Sequence, residues 1–125
     1  MAKAIIDTNV VLGYLVRGDS LFKTVLEKYS EIVLPNQVFF ETAFTLESYY
    51  KVKRLEIVNM LLVLLQTKKL SSDKILLINT LYLYRDKPKL SLVDCFLIIL
   101  AKELKSDLIS NDKEIVKAIH PRVDS

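Results

Sequence analysis

Four carboxylates stand out by their placement: Asp7, Glu41, Asp94 and Asp112. The chain holds fifteen Asp and Glu, so acids as such are uninformative. The alternatives to carboxylate chemistry fall away quickly. His120 is the only histidine, which leaves a serine–histidine triad or a multi-histidine metal site impossible or very poor. Cys95 is the only cysteine, so neither an internal disulfide nor a cysteine-based zinc site can form. Any chemistry in this chain rests on carboxylates.

The elements that must carry those acids are short apolar strands alternating with helices. Residues 4–6 read as a buried strand ending at Asp7, and residues 9–16 have apolar side chains at helical spacing, closed by Gly18. A second helix runs over 20–29, with Leu21, Phe22, Val25 and Leu26 on one face. A strand over 32–34 precedes Pro35, which suits the first residue of a helix. That helix is expected to reach about residue 52 and to bury Phe40, Ala43, Phe44 and Leu46. Residues 55–66 form a helix almost saturated with Leu, Val and Met. A brief extended segment over 70–76 leads into a helix through Tyr84, and 86–89 is a loop. Ser91 opens an apolar helix to about Leu104, and its positions 95–101 are apolar all round, as in a central helix. Leu108-Ile109 reads as a strand, 113–119 as a last short helix, and Val123 as part of a marginal edge strand. The alternation indicates an α/β fold: a single domain over 1–125, with a short parallel β-sheet flanked by α-helices on both faces.

In open α/β sheets the ligand site lies beyond the carboxyl ends of the strands. Asp7 closes the first strand, and Asp112 follows Leu108-Ile109 by a short turn. Asp94 sits in the first turn of the apolar helix, and Glu41 in the first two turns of the helix leaving the second strand. All four can therefore project into one region. Each also has a plainly structural reading. Asp7 and Asp112 can cap the helices that follow, Asp94 fits a capping box with Ser91, and Glu41 can be ordinary surface. Convergence lifts the set above those readings.

Composition narrows the class. With 51% hydrophobic residues and a mean hydropathy of +0.28, the chain is no disordered tail. The longest apolar run covers residues 95–101, far short of the ~20 needed to span a bilayer. No signal peptide is legible, and a soluble cytoplasmic domain is expected, with no membrane partner. The net charge of +3 tolerates a polyanionic partner without announcing one.

The residues Ile5-Ile6-Asp7-Thr8-Asn9-Val10-Val11-Leu12 look like the opening motif of the PIN-domain family, an apolar strand followed by Asp-Thr-Asn. A second match is Leu90-Ser91-Leu92-Val93-Asp94 with the apolar helix behind it, ending in Leu108-Ile109-Ser110-Asn111-Asp112. Glu41 stands where the family has a helical glutamate. The chain thus resembles PIN domains over essentially its whole length, in particular the small ribonuclease toxins of toxin–antitoxin pairs. One departure is Lys105-Ser106, where the family commonly ends the helix with glycine.

The resemblance implies a metal-dependent endoribonuclease that hydrolyses RNA phosphodiester bonds with Mg²⁺ or Mn²⁺. The residue types agree, because such hard cations take oxygen ligands. It assigns Asp7, Asp94 and Asp112 as metal ligands, with Glu41 completing the cage and orienting the attacking water. Thr8, Asn9 and Ser110 support these acids or contact a phosphate oxygen. Arg17, Lys51, Lys53, Arg54, Arg85, Lys87 and Lys89 are candidate phosphate contacts, and Tyr49, Tyr50, Tyr82 and Tyr84 candidate base-stacking or partner residues. Implied partners are an RNA substrate, a cognate antitoxin protein and a second copy in a homodimer. Two other readings compete: a catalytically inert PIN-like binding module, and a phosphoacceptor switch domain. The intact acids speak against the first; the want of a convincing Asp and downstream Lys pair speaks against the second.

Overall fold

Side-chain alternation sorts the strands. In the computed structural model, which describes residues 2–120, β1 is Lys3–Ile5, β2 is Glu31–Val33 and β3 is Leu70–Ser71. They pair in parallel in the order β1-β2-β3, with Ala4 opposite Ile32 and Ile32 opposite Leu70. The ladder runs on past the strand ends: the Ile6 N–H donates to the Val33 carbonyl and the Leu34 N–H to the Ser71 carbonyl. Successive side chains point to opposite faces. Ile6, Ile32, Leu34 and Leu70 are buried on one of them, whereas Ile5 on the other is 74% exposed.

Helical crossovers join these strands. Helices α1 (Thr8–Leu12) and α2 (Leu21–Lys28) separate β1 from β2, and α3 (Asn36–Ser48) and α4 (Arg54–Leu65) separate β2 from β3. Right-handed crossovers between sequential parallel strands bring both helix sets to one face. Accordingly α1 packs on α3, and α3 on α4. Pro35, with φ −65° and ψ 148°, forms the N-cap of α3, where its missing N–H costs nothing.

The chain divides after Lys74 into two compact units, and the sheet with its crossovers lies wholly in the first. The second unit carries α5 (Lys74–Asp86) from its second residue on, α6 (Leu92–Leu104) and α7 (Lys113–Ile119), with α6 packed on α7. Among the described residues no helix is long and apolar enough to cross a membrane.

The α/β expectation holds, and most helices fall within a residue or two of their expected bounds. Five local expectations do not. The extended segment expected over 70–76 is a strand only at Leu70–Ser71, and residues 74–76 already belong to α5. Leu108-Ile109 is not a strand; Ile109 is 89% exposed, and both residues border a groove of about 690 Å³ that also takes in Lys102, Lys105 and His120. Helix α3 stops at Ser48, because the chain turns through a left-handed Lys51 with φ 58° before α4. Leu21 and Phe44 face outward, so their helices bury narrower stripes than periodicity suggested. In the apolar run of α6 only Cys95 and Ile98 are buried, and Leu97 is exposed, so apolar character all round did not mean burial all round. Val123 lies outside the described residues.

Ile32, fully buried at the centre of the sheet, is the residue whose loss leaves a cavity. Ile32→Ala is expected to cost about 2–5 kcal/mol. Ile5→Ala, on the exposed face, should stay within about 0.5 kcal/mol of wild type. Urea titration of both variants checks this pair of outcomes.

Candidate active site

The first turn of α1 leaves backbone N–H groups without helical partners, and Asp7 supplies one. Its backbone is extended (φ −98°, ψ 175°), and its Oδ1 accepts from the Val10 N–H at 3.0 Å. Among the described residues no hydrogen bond to Oδ2 is found, and Asp7 is exposed. The cap therefore fixes the carboxylate while leaving one oxygen for chemistry. Thr8 follows, and its hydroxyl donates to Glu41 Oε1 at 3.2 Å. This bond joins the turn after β1 to the middle of α3, across 33 positions of sequence.

Asn9 is held from the other side. Helix α1 passes into a π-helical turn, Gly13–Arg17, which ends at Gly18 in the left-handed conformation (φ 69°). From the end of that turn Arg17 reaches back, and its Nη2 donates to both the Asn9 carbonyl and Asn9 Oδ1, each at 2.8 Å. Arg17 Nη1 donates to the Tyr50 hydroxyl at 3.2 Å, and Nε to Asp19 Oδ2 at 3.4 Å. The Tyr50 bond first, and Asp19 after it, raise the guanidinium pKa above its ordinary value. Nothing in the one-dimensional pattern marked this arrangement, since Arg17 read only as a candidate phosphate contact. Gly13, Gly18 and Tyr50 around it were the available signal.

In the second unit, Asp94 and Ser91 form the expected capping box. The Ser91 N–H donates to Asp94 Oδ2 at 3.0 Å, and the Asp94 N–H to Ser91 Oγ at 3.1 Å. Asp112 caps α7, its Oδ1 accepting from the Glu114 N–H at 2.8 Å and the Ile115 N–H at 3.2 Å. Ser110 Oγ accepts from the Asp112 N–H at 3.0 Å, so Ser110 orders the turn that presents Asp112. The structural readings of Asp7, Asp94 and Asp112 as caps are thus all observed. Each consumes one carboxylate oxygen. Lys105, where a helix-ending glycine was wanting, takes the left-handed conformation itself (φ 52°).

The candidate contact residues separate by environment. Tyr84 is core, and Tyr50 is engaged by Arg17, leaving Tyr49 and Tyr82 with exposed rings. Arg85 lies over the Tyr82 ring at 5.0 Å and pairs with Asp86 at 2.9 Å.

The family model for the PIN domain matches residues 4–120. This chain belongs to the PIN-domain family. No curated protein and no solved structure matches it. PIN domains are typically nucleases and generally use divalent metal ions, which bears on the donor set described above. Within neither unit, among the described residues, do three or more His, Cys, Asp or Glu side chains gather as a ready metal cage. Mg²⁺ does not require one: it keeps several waters and is held through one or two carboxylates plus substrate phosphates. Asp7 and Glu41, exposed and tied to one another's neighbourhood through Thr8, fit that ligand chemistry.

Because the caps use an oxygen that Asn retains, the three capping acids of this PIN domain should separate stability from chemistry. Asp7→Asn, Asp94→Asn and Asp112→Asn are expected to stay near wild-type stability, while each Ala counterpart loses about 1 kcal/mol. Chemical denaturation of the six variants gives the comparison.

Proposed function

We propose that this PIN domain is a divalent-metal-dependent endoribonuclease whose chemistry centres on the turn after β1. The observation that carries the proposal is the Thr8–Glu41 hydrogen bond, which ties the Asp7-Thr8-Asn9 turn to the glutamate of α3. Asp7 Oδ2 and Glu41 Oε2 are the oxygens that would hold the ion, each on a carboxylate whose other oxygen is engaged. When bound, Mg²⁺ or Mn²⁺ supplies an activated water and neutralises charge on the phosphoryl oxygens. The protein's own work is orientation. The Val10 N–H fixes the Asp7 carboxylate, and the Thr8 hydroxyl fixes that of Glu41. Asp94 and Asp112 are the further acids assigned to metal by the family resemblance, each with its second oxygen outside its capping bonds.

The proposal extends to assembly. We infer a homodimer through the apolar helix faces of the first unit, and a toxin role with a cognate antitoxin. Leu61, Leu64 and Leu65 of α4 are fully buried, so they do not supply the interface. Phe44 and Tyr49, at 68% and 75% exposure, and Leu55 and Val63 of α4 supply the outward apolar surface instead. Sedimentation should find a dimer at micromolar concentration; a monomer would count against this assembly.

Activity is tested by incubating total RNA with the protein and Mn²⁺. Wild type is expected to cleave, and Asp7→Asn and Glu41→Gln to lose at least about a hundredfold, since each removes a ligand charge. Equal cleavage by wild type and Asp7→Asn would dispose of the assigned site. Stability gives a second readout that needs no turnover. At a hundredfold excess over its Kd, an ion binding only the folded form stabilises by about 2.7 kcal/mol. Thermal melts with chelator and with Mn²⁺ should show that gain in wild type and a smaller one in Asp7→Asn.

A further inference from the structure

We propose that Arg17 is a positioning residue that holds Asn9 as a hydrogen-bond donor to a phosphate oxygen of the RNA backbone; this rests on the nuclease reading above. A guanidinium has N–H donors and no acceptor. The Asn9 side-chain atom that meets Arg17 Nη2 at 2.8 Å is therefore its carbonyl oxygen. With Oδ1 turned to Arg17, the end of the amide left for a ligand is the NH₂ group. That group donates only. It cannot ligate a cation, and it suits an anionic oxygen.

The arrangement is built rather than incidental. Nη2 binds the Asn9 main chain as well as its side chain, which fixes the amide relative to the Asp7-Thr8-Asn9 turn. Nη1 is anchored on Tyr50, 33 positions away, and Nε on Asp19. These bonds engage four of the five guanidinium N–H groups, so Arg17 has little left with which to grip phosphate itself. The fold also keeps space for the clamp at Gly13. A Cβ there would stand 2.5 Å from Asp19 Oδ2 and 3.2 Å from Arg17 Nη2. Gly13 has ordinary right-handed helical backbone (φ −56°, ψ −44°), so it is the room above it, not its conformation, that asks for glycine.

The test is a double-mutant cycle on RNA binding, measured by fluorescence anisotropy with a short single-stranded RNA, in EDTA and at low salt so that no cleavage intervenes. Asn9→Ala and Arg17→Ala are each expected to weaken binding about tenfold, as for a hydrogen bond to a charged group. The double variant should be no weaker than either single one. Arg17→Lys keeps the charge but not the fork, and should bind nearly as poorly as Arg17→Ala. Gly13→Ala, whose added Cβ meets Asp19 and Arg17 while its N–H still donates to the Asn9 carbonyl, should weaken binding in the same direction.

Additive losses would mean that Arg17 grips RNA directly, and would overturn the proposal. Full binding by Arg17→Lys would overturn it too, as would a fall in melting temperature with unchanged affinity, the mark of a merely structural role. Absence of RNA binding by wild type ends it outright. Cleavage with Mn²⁺, compared between wild type and Asp7→Asn, judges the nuclease reading separately. A non-additive cycle in a protein that does not cleave leaves Arg17 and Asn9 as assigned and removes the nuclease.

Discussion

The unsatisfied N–H groups at helix starts are the constraint on which this molecule turns. Three helices, α1, α6 and α7, begin at or beside an aspartate that accepts from those groups. A cap needs one acceptor, and a carboxylate has two oxygens. The same residue can thus terminate a loop, start a helix and still present a negatively charged oxygen outward. Ser, Thr or Asn would cap as well without that remaining charge. Capping and the helix dipole, which favours a negative charge at a helix start, both suit aspartate, and neither uses its second oxygen.

Around that constraint the first unit is arranged simply. A three-stranded parallel sheet buries one face through Ile6, Ile32, Leu34 and Leu70, and its crossover helices pack on one another. β1 stops at Ile5, so Asp7 emerges just beyond the strand end and leads straight into α1. Glu41, six residues into α3, reaches the same turn through Thr8. Packing of α1 on α3 is what makes that bond available, which puts the core on the same causal line as the site.

Legibility in the sequence follows the range of the interactions. Asp7 at the end of a strand, Pro35 before a helix and the Ser91–Asp94 capping box are local features, and each stands in the fold where its spacing indicated. Period 3.6 located the helices but overestimated what they bury, because Leu21, Phe44 and Leu97 have no neighbour that covers them. A two-residue apolar run such as Leu108-Ile109 is too short to specify a strand without a partner ladder. The Arg17 clamp was illegible for a different reason. It joins Asn9, Asp19 and Tyr50 through a π-helical turn, and no periodicity rule reports where such a turn falls.

That turn has a consequence for how this chain tolerates changes in length. A π turn holds one residue more than the α turn it replaces, so it behaves as an insertion absorbed within a helix. Each residue of an α-helix advances the chain by about 100° around its axis. Asn9 and Arg17 stand eight positions apart, about 80° out of alignment in a regular helix, whereas a separation of seven, two turns, brings side chains onto one face. The extra residue of Gly13–Arg17 takes up that difference and returns Arg17 to the face that Asn9 occupies. A relative one residue shorter here keeps both side chains on one face with a regular helix, so a gap at this place in an alignment is a change of helix geometry rather than of chemistry.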